Sequence, residues 1–292
     1  MKLSPLTQIE IEGRAFYIKR DDLIDPYLAG NKYRKLYTLL QTPKEALHTI
    51  ISYGGTQSNA MLAIAAMCHQ KGWQFLYYSK TLSSYQKEYP SGNFALAQRL
   101  GMQHHEIEHA LYKEFIASLR LNLSEKTYII DQGGADVSAQ EGLHVLADEI
   151  QKQKQQGVLP SYINSLATPS GTGTTALYLA KALPEYTIYT TAVIGDASYL
   201  REQMQSLSEI PENLIILESD KKYRFAKPYK EFYELYQKLL DKGIEFDLLY
   251  APLLWKNLLE QTKEDILYIH SGGVSGNETM LQRYERLLNH LS

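Results

Sequence analysis

From residue 48 to the C-terminus the chain repeats one pattern. A short apolar strand is followed by a turn of glycine and small polar residues, and then by a helix. Strands separated by helices pair in parallel, and a parallel sheet needs helices on both of its faces. The pattern therefore predicts an α/β protein with mainly parallel, helix-covered sheets. Strands are expected at 48–53, 73–78, 103–108, 127–130, 161–167, 186–194, 213–217 and 266–270. Helices are expected to end near 71 and 121 and to span 93–100, 138–155, 174–183, 198–207, 229–240, 253–261 and 277–291. Ahead of the repeat, 9–12 and 15–20 alternate around Gly13-Arg14 and read as a hairpin. A helix carrying Lys32 then runs to about Gln41, where Pro43 ends it.

At 292 residues the chain has room for two domains of roughly 150 residues each. The polar segment Lys152-Gln153-Lys154-Gln155-Gln156-Gly157 is the most linker-like stretch and is read as a domain crossing. With a net charge of −3 and no basic patch, a nucleic-acid partner is not expected. The single cysteine, Cys68, rules out an internal disulfide and sits in an apolar run that reads as a buried helix face. The N-terminus carries no long apolar stretch and no span of about 20 apolar residues occurs, so a cytoplasmic protein without a membrane segment is expected.

Five segments carry candidate chemistry. Leu28-Ala29-Gly30-Asn31-Lys32-Tyr33-Arg34-Lys35-Leu36 reads as a glycine turn, an Asn cap and a helix that opens with a lysine. The positive end of a helix disfavours a cation, which lowers the cost of an uncharged amine of the kind covalent carbonyl chemistry needs. Lys32 is thus a candidate cofactor-bearing lysine; the alternative is a solvent-exposed lysine. Gly54-Gly55-Thr56-Gln57-Ser58-Asn59 puts donors at a helix N-terminus, suited to a carboxylate or phenolate, or serving only as caps. Ser170-Gly171-Thr172-Gly173-Thr174-Thr175 has the small residues and hydroxyls of an anion nest, with a single phosphate as the natural ligand. Neither a nucleotide P-loop nor GxGxxG spacing is present. His270-Ser271-Gly272-Gly273 ends the last strand with a hydroxyl at the sheet's edge, and Tyr250 offers a phenol before a helix. His104, His105 and His109 lack the spacing of a closed zinc site, so no metal is expected. A serine hydrolase is not expected either, since no Gly-x-Ser-x-Gly elbow occurs.

In order and in kind these motifs, with Lys19-Arg20-Asp21-Asp22-Leu23 and Gln132-Gly133-Gly134-Ala135, resemble the 1-aminocyclopropane-1-carboxylate deaminase/D-cysteine desulfhydrase group over nearly the whole chain. The resemblance implies a pyridoxal 5′-phosphate enzyme of the tryptophan-synthase-β fold type, acting on a small amino acid as a homodimer. Two α/β domains would close over the cofactor, a small one at 45–156 and a large one at 1–44 plus 157–292. Lys32 would carry the cofactor and move the substrate's Cα proton, and Asn59 would bond its 3′-oxygen. Ser58 would contact the substrate carboxylate and assist proton transfer, and Gln57, Asn59 and Tyr250 would also meet the substrate. Gly171, Thr172, Gly173, Thr174 and Thr175 would hold the phosphate. Ser271 would face the pyridine nitrogen and Tyr250 would lie over the reacting carbons.

A serine beside the pyridine leaves the ring a weaker electron sink than a carboxylate would, which favours loss of a β-leaving group. With D-cysteine the products would be an enamine, then a 2-oxo acid, ammonia and sulfide. The chain departs from the group at Ala29 and Thr174, where glycines are usual, and around Tyr250. There Ala251 stands where the deaminases carry a glutamate, which makes ring-opening deamination the secondary reading. A cofactor-binding homologue with little turnover and a nucleotide binder are the remaining alternatives.

Overall fold

The computed structural model describes residues 3–28, 30–121, 123–134 and 136–289. Ala29, Ala135 and the expected end of the last helix at Leu291 lie outside the described residues. Among the described residues the strands are β1 (Leu6–Ile11), β2 (Arg14–Lys19), β3 (Thr49–Tyr53), β4 (Gln74–Lys80), β5 (Met102–Ile107), β6 (Thr127–Ile130), β7 (Ser165–Ala167), β8 (Thr187–Thr190), β9 (Leu214–Ile216) and β10 (Ile266–Ile269). They form a six-stranded sheet in the order β1-β2-β10-β7-β8-β9 and a four-stranded sheet in the order β5-β4-β3-β6. Every pairing is parallel except β1 with β2. That exception is the expected hairpin. Its turn residues Glu12 and Gly13 both take positive φ, 54° and 76°, matching the twist of the strands they join.

Strand order fixes where a site can form. In the larger sheet the chain moves outward through β7, β8 and β9, then returns to the other side of β7 to lay down β10. In the smaller sheet it moves outward through β3, β4 and β5, then returns to the free side of β3 for β6. Each reversal parts the loops that leave neighbouring strand ends and opens a crevice there. The loops involved follow β3, β6, β7 and β10, and three of the four are the turns singled out in the sequence.

Several elements differ from the sequence reading. The strands expected at 161–167 and 186–194 shrink to β7 and β8, because β7 and β9 offer only three residues each as ladder partners. The helix expected from Lys32 to Gln41 is two short helices, Gly30–Lys35 and Tyr37–Gln41, interrupted at Leu36 (φ −90°, ψ 9°). A five-residue helix at Ser84–Glu88, closed by a Ser83/Gln86 capping box, was not anticipated. The polar stretch at 152–157 does not divide the packing. It continues the helix Ala139–Gln155, whose Leu143, Leu146, Ala147 and Ile150 share one apolar cluster with Leu166 of β7 and Leu177. Conversely, Leu28, Leu36 and Leu39 pack into the cluster of the four-stranded sheet.

The short helix bearing Lys32 is anchored by a buried polar network. The Arg34 guanidinium donates to both Asp21 oxygens at 2.6 and 2.8 Å and pairs with Glu149 at 2.9 Å. Lys19 pairs with the same Glu149 at 2.5 Å and also donates to the Ser4 carbonyl at 2.7 Å. Burial alone would raise the Glu149 carboxyl; Arg34 and Lys19 more than offset it and hold it below its ordinary value. Two cations and two anions cancel inside the protein, and each makes the hydrogen bonds a buried charge requires.

Candidate active site

The loops after β3, β6, β7 and β10 line one cavity of about 330 Å³, with Lys32 in its wall. That volume lies within the roughly 300–1,000 Å³ usual for small-ligand sites. Gln57, Ser58, Asn59, Gly171, Thr172, Gly173, Thr174, Thr175, Tyr250 and Ser271 all line it.

Lys32 reaches the cavity because two backbones approach closely behind it. Gly30 has φ +60°, and a Cβ there would lie 1.9 Å from the Ser271 carbonyl oxygen, so only glycine fits. The Asn31 N–H donates to that same carbonyl at 3.4 Å. Asn31 is therefore not the helix cap; its side chain accepts from Lys32 Nζ at 3.0 Å and donates to Thr175 Oγ1 at 3.4 Å. The Lys32 amine is pushed down to about 8 by burial, opposed by Asp247. Enclosure, rather than the field of a six-residue helix, makes this amine easy to discharge.

Ser58 caps the helix Asn59–Lys71, its Oγ accepting from the Met61 N–H at 3.2 Å, and it lines the cavity as well. The capping and binding alternatives thus coexist at one residue. Asn59 is oriented by Asn93, a buried residue the sequence reading did not select. Asn93 Nδ2 donates to Asn59 Oδ1 at 2.7 Å, leaving the Asn59 amide N–H groups as donors. Gly273 (φ +85°) holds the other side, since a Cβ there would stand 2.4 Å from Asn59 Nδ2. The Gln57 side chain is occupied by the backbone of Ser91 and Asn93, so it closes the rim.

In the loop after β7, Thr172 and Thr174 share a hydroxyl contact at 3.0 Å, while Ser170 turns inward to Thr190. Tyr250 precedes the helix Ala251–Gln261 and lies against Gly171, at 3.3 Å from where a Cβ would be. Burial and then Asp247 push its phenol up, so it stays protonated at neutral pH. Tyr250 lies in a bend, because the buried Asp247 carboxylate accepts from the N–H groups of Leu249 (3.0 Å) and Tyr250 (2.6 Å). Asp247 is itself raised to about 6 by burial. An Asp three residues ahead of a helix entry is a signal that could have found it. His270 is fixed as the neutral tautomer: its Nδ1 accepts from the Gly272 N–H (3.1 Å) and its Nε2–H donates to the Glu245 carbonyl (2.8 Å). Burial lowers its pKa, in keeping with that state.

Lys35 is the most consequential residue missed. It stands one turn from Lys32, lines the cavity, and is 6% exposed. Its hydrogen bond runs to the Gly133 carbonyl at 3.2 Å, and no carboxylate pairs with it among the described residues. Burial, then the neighbouring Lys32, lowers its pKa well below the ordinary value. A buried amine without a counter-charge, sharing a cavity with a loop of hydroxyls and backbone N–H groups, is a site for an anion, whose charge would favour its protonated form. Phosphate fits this donor set.

His104, His105 and His109 are engaged elsewhere, by Ser79, Tyr78 and Lys80 respectively. Among the described residues there is no cluster of His, Cys, Asp or Glu able to hold a metal, and no helix is long and apolar enough to cross a membrane.

A pH dependence follows for the cofactor-free protein. Between about 8 and the ordinary lysine value of 10.5, residue 32 is protonated in the unfolded chain but not in the folded one. The unfolded state then binds more protons, so this residue makes stability rise with pH across that window. Thermal melts of apo-protein from pH 8 to 10.5 are expected to show that rise, with a shallower slope in Lys32→Met.

A family model described as "Pyridoxal-phosphate dependent enzyme" matches residues 2–220. The bifunctional mitochondrial D-cysteine desulfhydrase/1-aminocyclopropane-1-carboxylate deaminase of Arabidopsis thaliana is 24% identical, covering 90% of this chain and 73% of its own. The D-cysteine desulfhydrase of Serratia proteamaculans is 24% identical over 93% of this chain and 90% of its own. The crystal structure of an ACC deaminase homologue superposes with a TM-score of 0.74 at 21% identity, over 97% of this chain and 94% of that one.

Proposed function

We propose, from the premise that this chain belongs to the pyridoxal-phosphate dependent enzyme family, that it is an amino-acid lyase whose first reaction is β-elimination from D-cysteine. The products would be pyruvate, ammonia and sulfide, with one water consumed. The observation that carries this reading is an enclosed, readily discharged Lys32 in one cavity with a hydroxyl-lined anion loop and the Ser271 hydroxyl.

When bound, pyridoxal phosphate supplies an electron sink for charge developing at the substrate's Cα. The chain's residues would do the rest. Lys32 would hold the cofactor and then move the Cα proton. Lys35 and the loop 171–175 would hold the phosphate. Asn59, oriented by Asn93, would donate to the ring oxygen, and Ser271 would meet the pyridine nitrogen. Ser58, at the N-terminus of Asn59–Lys71, would take the substrate carboxylate. Tyr250, kept protonated, would hold or deliver a proton on the opposite side. Ala251 has no carboxylate to offer, which favours the desulfhydrase over the deaminase reading. We also propose a cytoplasmic homodimer with two packing units. The packing favours a smaller unit centred on β3–β6 with the segment 28–42, and a larger one that includes Ala139–Gln155.

The test is sulfide and pyruvate release from the cofactor-loaded protein with D-cysteine, L-cysteine and 1-aminocyclopropane-1-carboxylate. D-cysteine is expected to turn over fastest. No release from any of them would remove the lyase reading. Lys35→Met should separate two effects. Losing a charge-assisted contact is expected to weaken cofactor binding by about 10- to 150-fold. Removing a buried amine that has no counter-charge should raise the melting temperature of the apo-protein.

A further inference from the structure

The charges around the cavity do not suit a small zwitterion alone. No Asp or Glu is among the side chains lining it, while Lys32, Lys35 and Arg283 are. The cofactor reading accounts for Lys32 and Lys35 and leaves Arg283 over. A second hollow of about 180 Å³ adjoins the first, sharing Gln57, Thr279 and Arg283 with it. Arg286, one turn further along the helix Asn277–Asn289, lines this second hollow, which also has no acidic lining residue. Arg286 has no hydrogen-bond or ionic partner among the described residues, and the Arg283 guanidinium donates to the Ala226 carbonyl at 2.8 Å.

That carbonyl belongs to a basic segment, Lys221-Lys222-Tyr223-Arg224-Phe225-Ala226-Lys227, whose Phe225 and Ala226 form part of the cavity wall. Ala226 sits at φ +58°, a conformation an L-residue adopts only at a cost. Lys221 of that segment is paired with Glu231 at 2.6 Å, so the positive charge lining the cavity itself comes from Lys32, Lys35 and Arg283.

We propose that Arg283 and Arg286 are specificity-determining residues that select an amino acid whose side chain ends in an anionic group. This rests on the pyridoxal-phosphate reading but not on D-cysteine as first substrate: it widens the substrate class from the small thiol amino acid to amino acids with an anionic side chain. The α-carboxylate would sit at the Ser58 helix terminus. The side-chain anion would point into the second hollow, where two guanidinium groups meet it.

The test is binding rather than turnover. Cofactor-loaded full-length protein is titrated with aspartate against asparagine, and glutamate against glutamine, in both enantiomers, following the visible absorbance of the lysine-bound cofactor. In at least one series the acid should bind about tenfold or more tighter than its isosteric amide. The ratio should fall as salt is raised, and it should approach one in Arg283→Gln. Arg286→Gln, which breaks no contact to the Ala226 loop, should also lower it. Equal or tighter binding of the amides, no binding of any acid, or a ratio unchanged in both variants overturns the proposal. Absence of the visible band in wild type after cofactor addition would sink the cofactor reading, and this inference with it.

Discussion

Lys32→Ala is expected to abolish the visible absorption of the lysine-bound cofactor and to lower turnover by at least about a thousandfold. In the proposed reaction two functions converge on this amine: covalent attachment and proton transfer at Cα. Alanine removes both, and no neighbour can substitute. Lys35 is one turn away, but its amine is directed to the Gly133 carbonyl at 3.2 Å. The fold should survive, because among the described residues Lys32 makes no ion pair and its side chain donates to the adjacent Asn31. A variant with native far-UV circular dichroism, no visible band and no sulfide release is the expected result. A variant that keeps the band would move the attachment point elsewhere, with Lys35 the first residue to examine.

Glu149→Gln should cost about 3–5 kcal/mol of stability, because it leaves two buried cations sharing the single carboxylate of Asp21. The loss would be read as a lower midpoint in urea without a change in slope. It should also reach the site. Arg34 holds the helix Gly30–Lys35 from its buried side, two residues from Lys32. With that anchor weakened, cofactor affinity is expected to fall alongside stability. Adding Lys19→Met to the variant should recover part of the lost stability, since it removes one of the stranded charges. A Glu149→Gln protein as stable as wild type would mean that water reaches this network and screens it.

Much of the architecture was legible in the chain because it is local. The alternation from residue 48 onward predicted parallel, helix-covered sheets, and turn chemistry placed the loops after β3, β7 and β10. Boundaries were less legible. β7 and β8 stop where their neighbours stop, and no residue within 161–167 or 186–194 states that. The polar run at 152–157 has the composition of a linker, yet the helix it ends is held by apolar contacts to residues far along the sequence.

The site divides in the same way. Lys32, Ser58, Asn59, the loop 171–175, Tyr250 and Ser271 could be selected singly because each sits in a short motif whose backbone has something to offer a ligand. Lys35, Asn93 and Arg283 could not, because their significance lies in what they face. A lysine three residues after another reads as a solvated helix face until burial removes the solvent. An Asn at the start of a helix reads as a cap until it is found holding a second amide. By itself the sequence determined the class of sheet and the list of turns with anion-binding chemistry, since these follow from periodicity and backbone chemistry over a few residues, while the family was legible through the resemblance of its motifs in order and kind. Only the tertiary structure decided that those turns share one cavity and that its charge is cationic, because dielectric environment and counter-charge belong to residues brought together from distant parts of the chain.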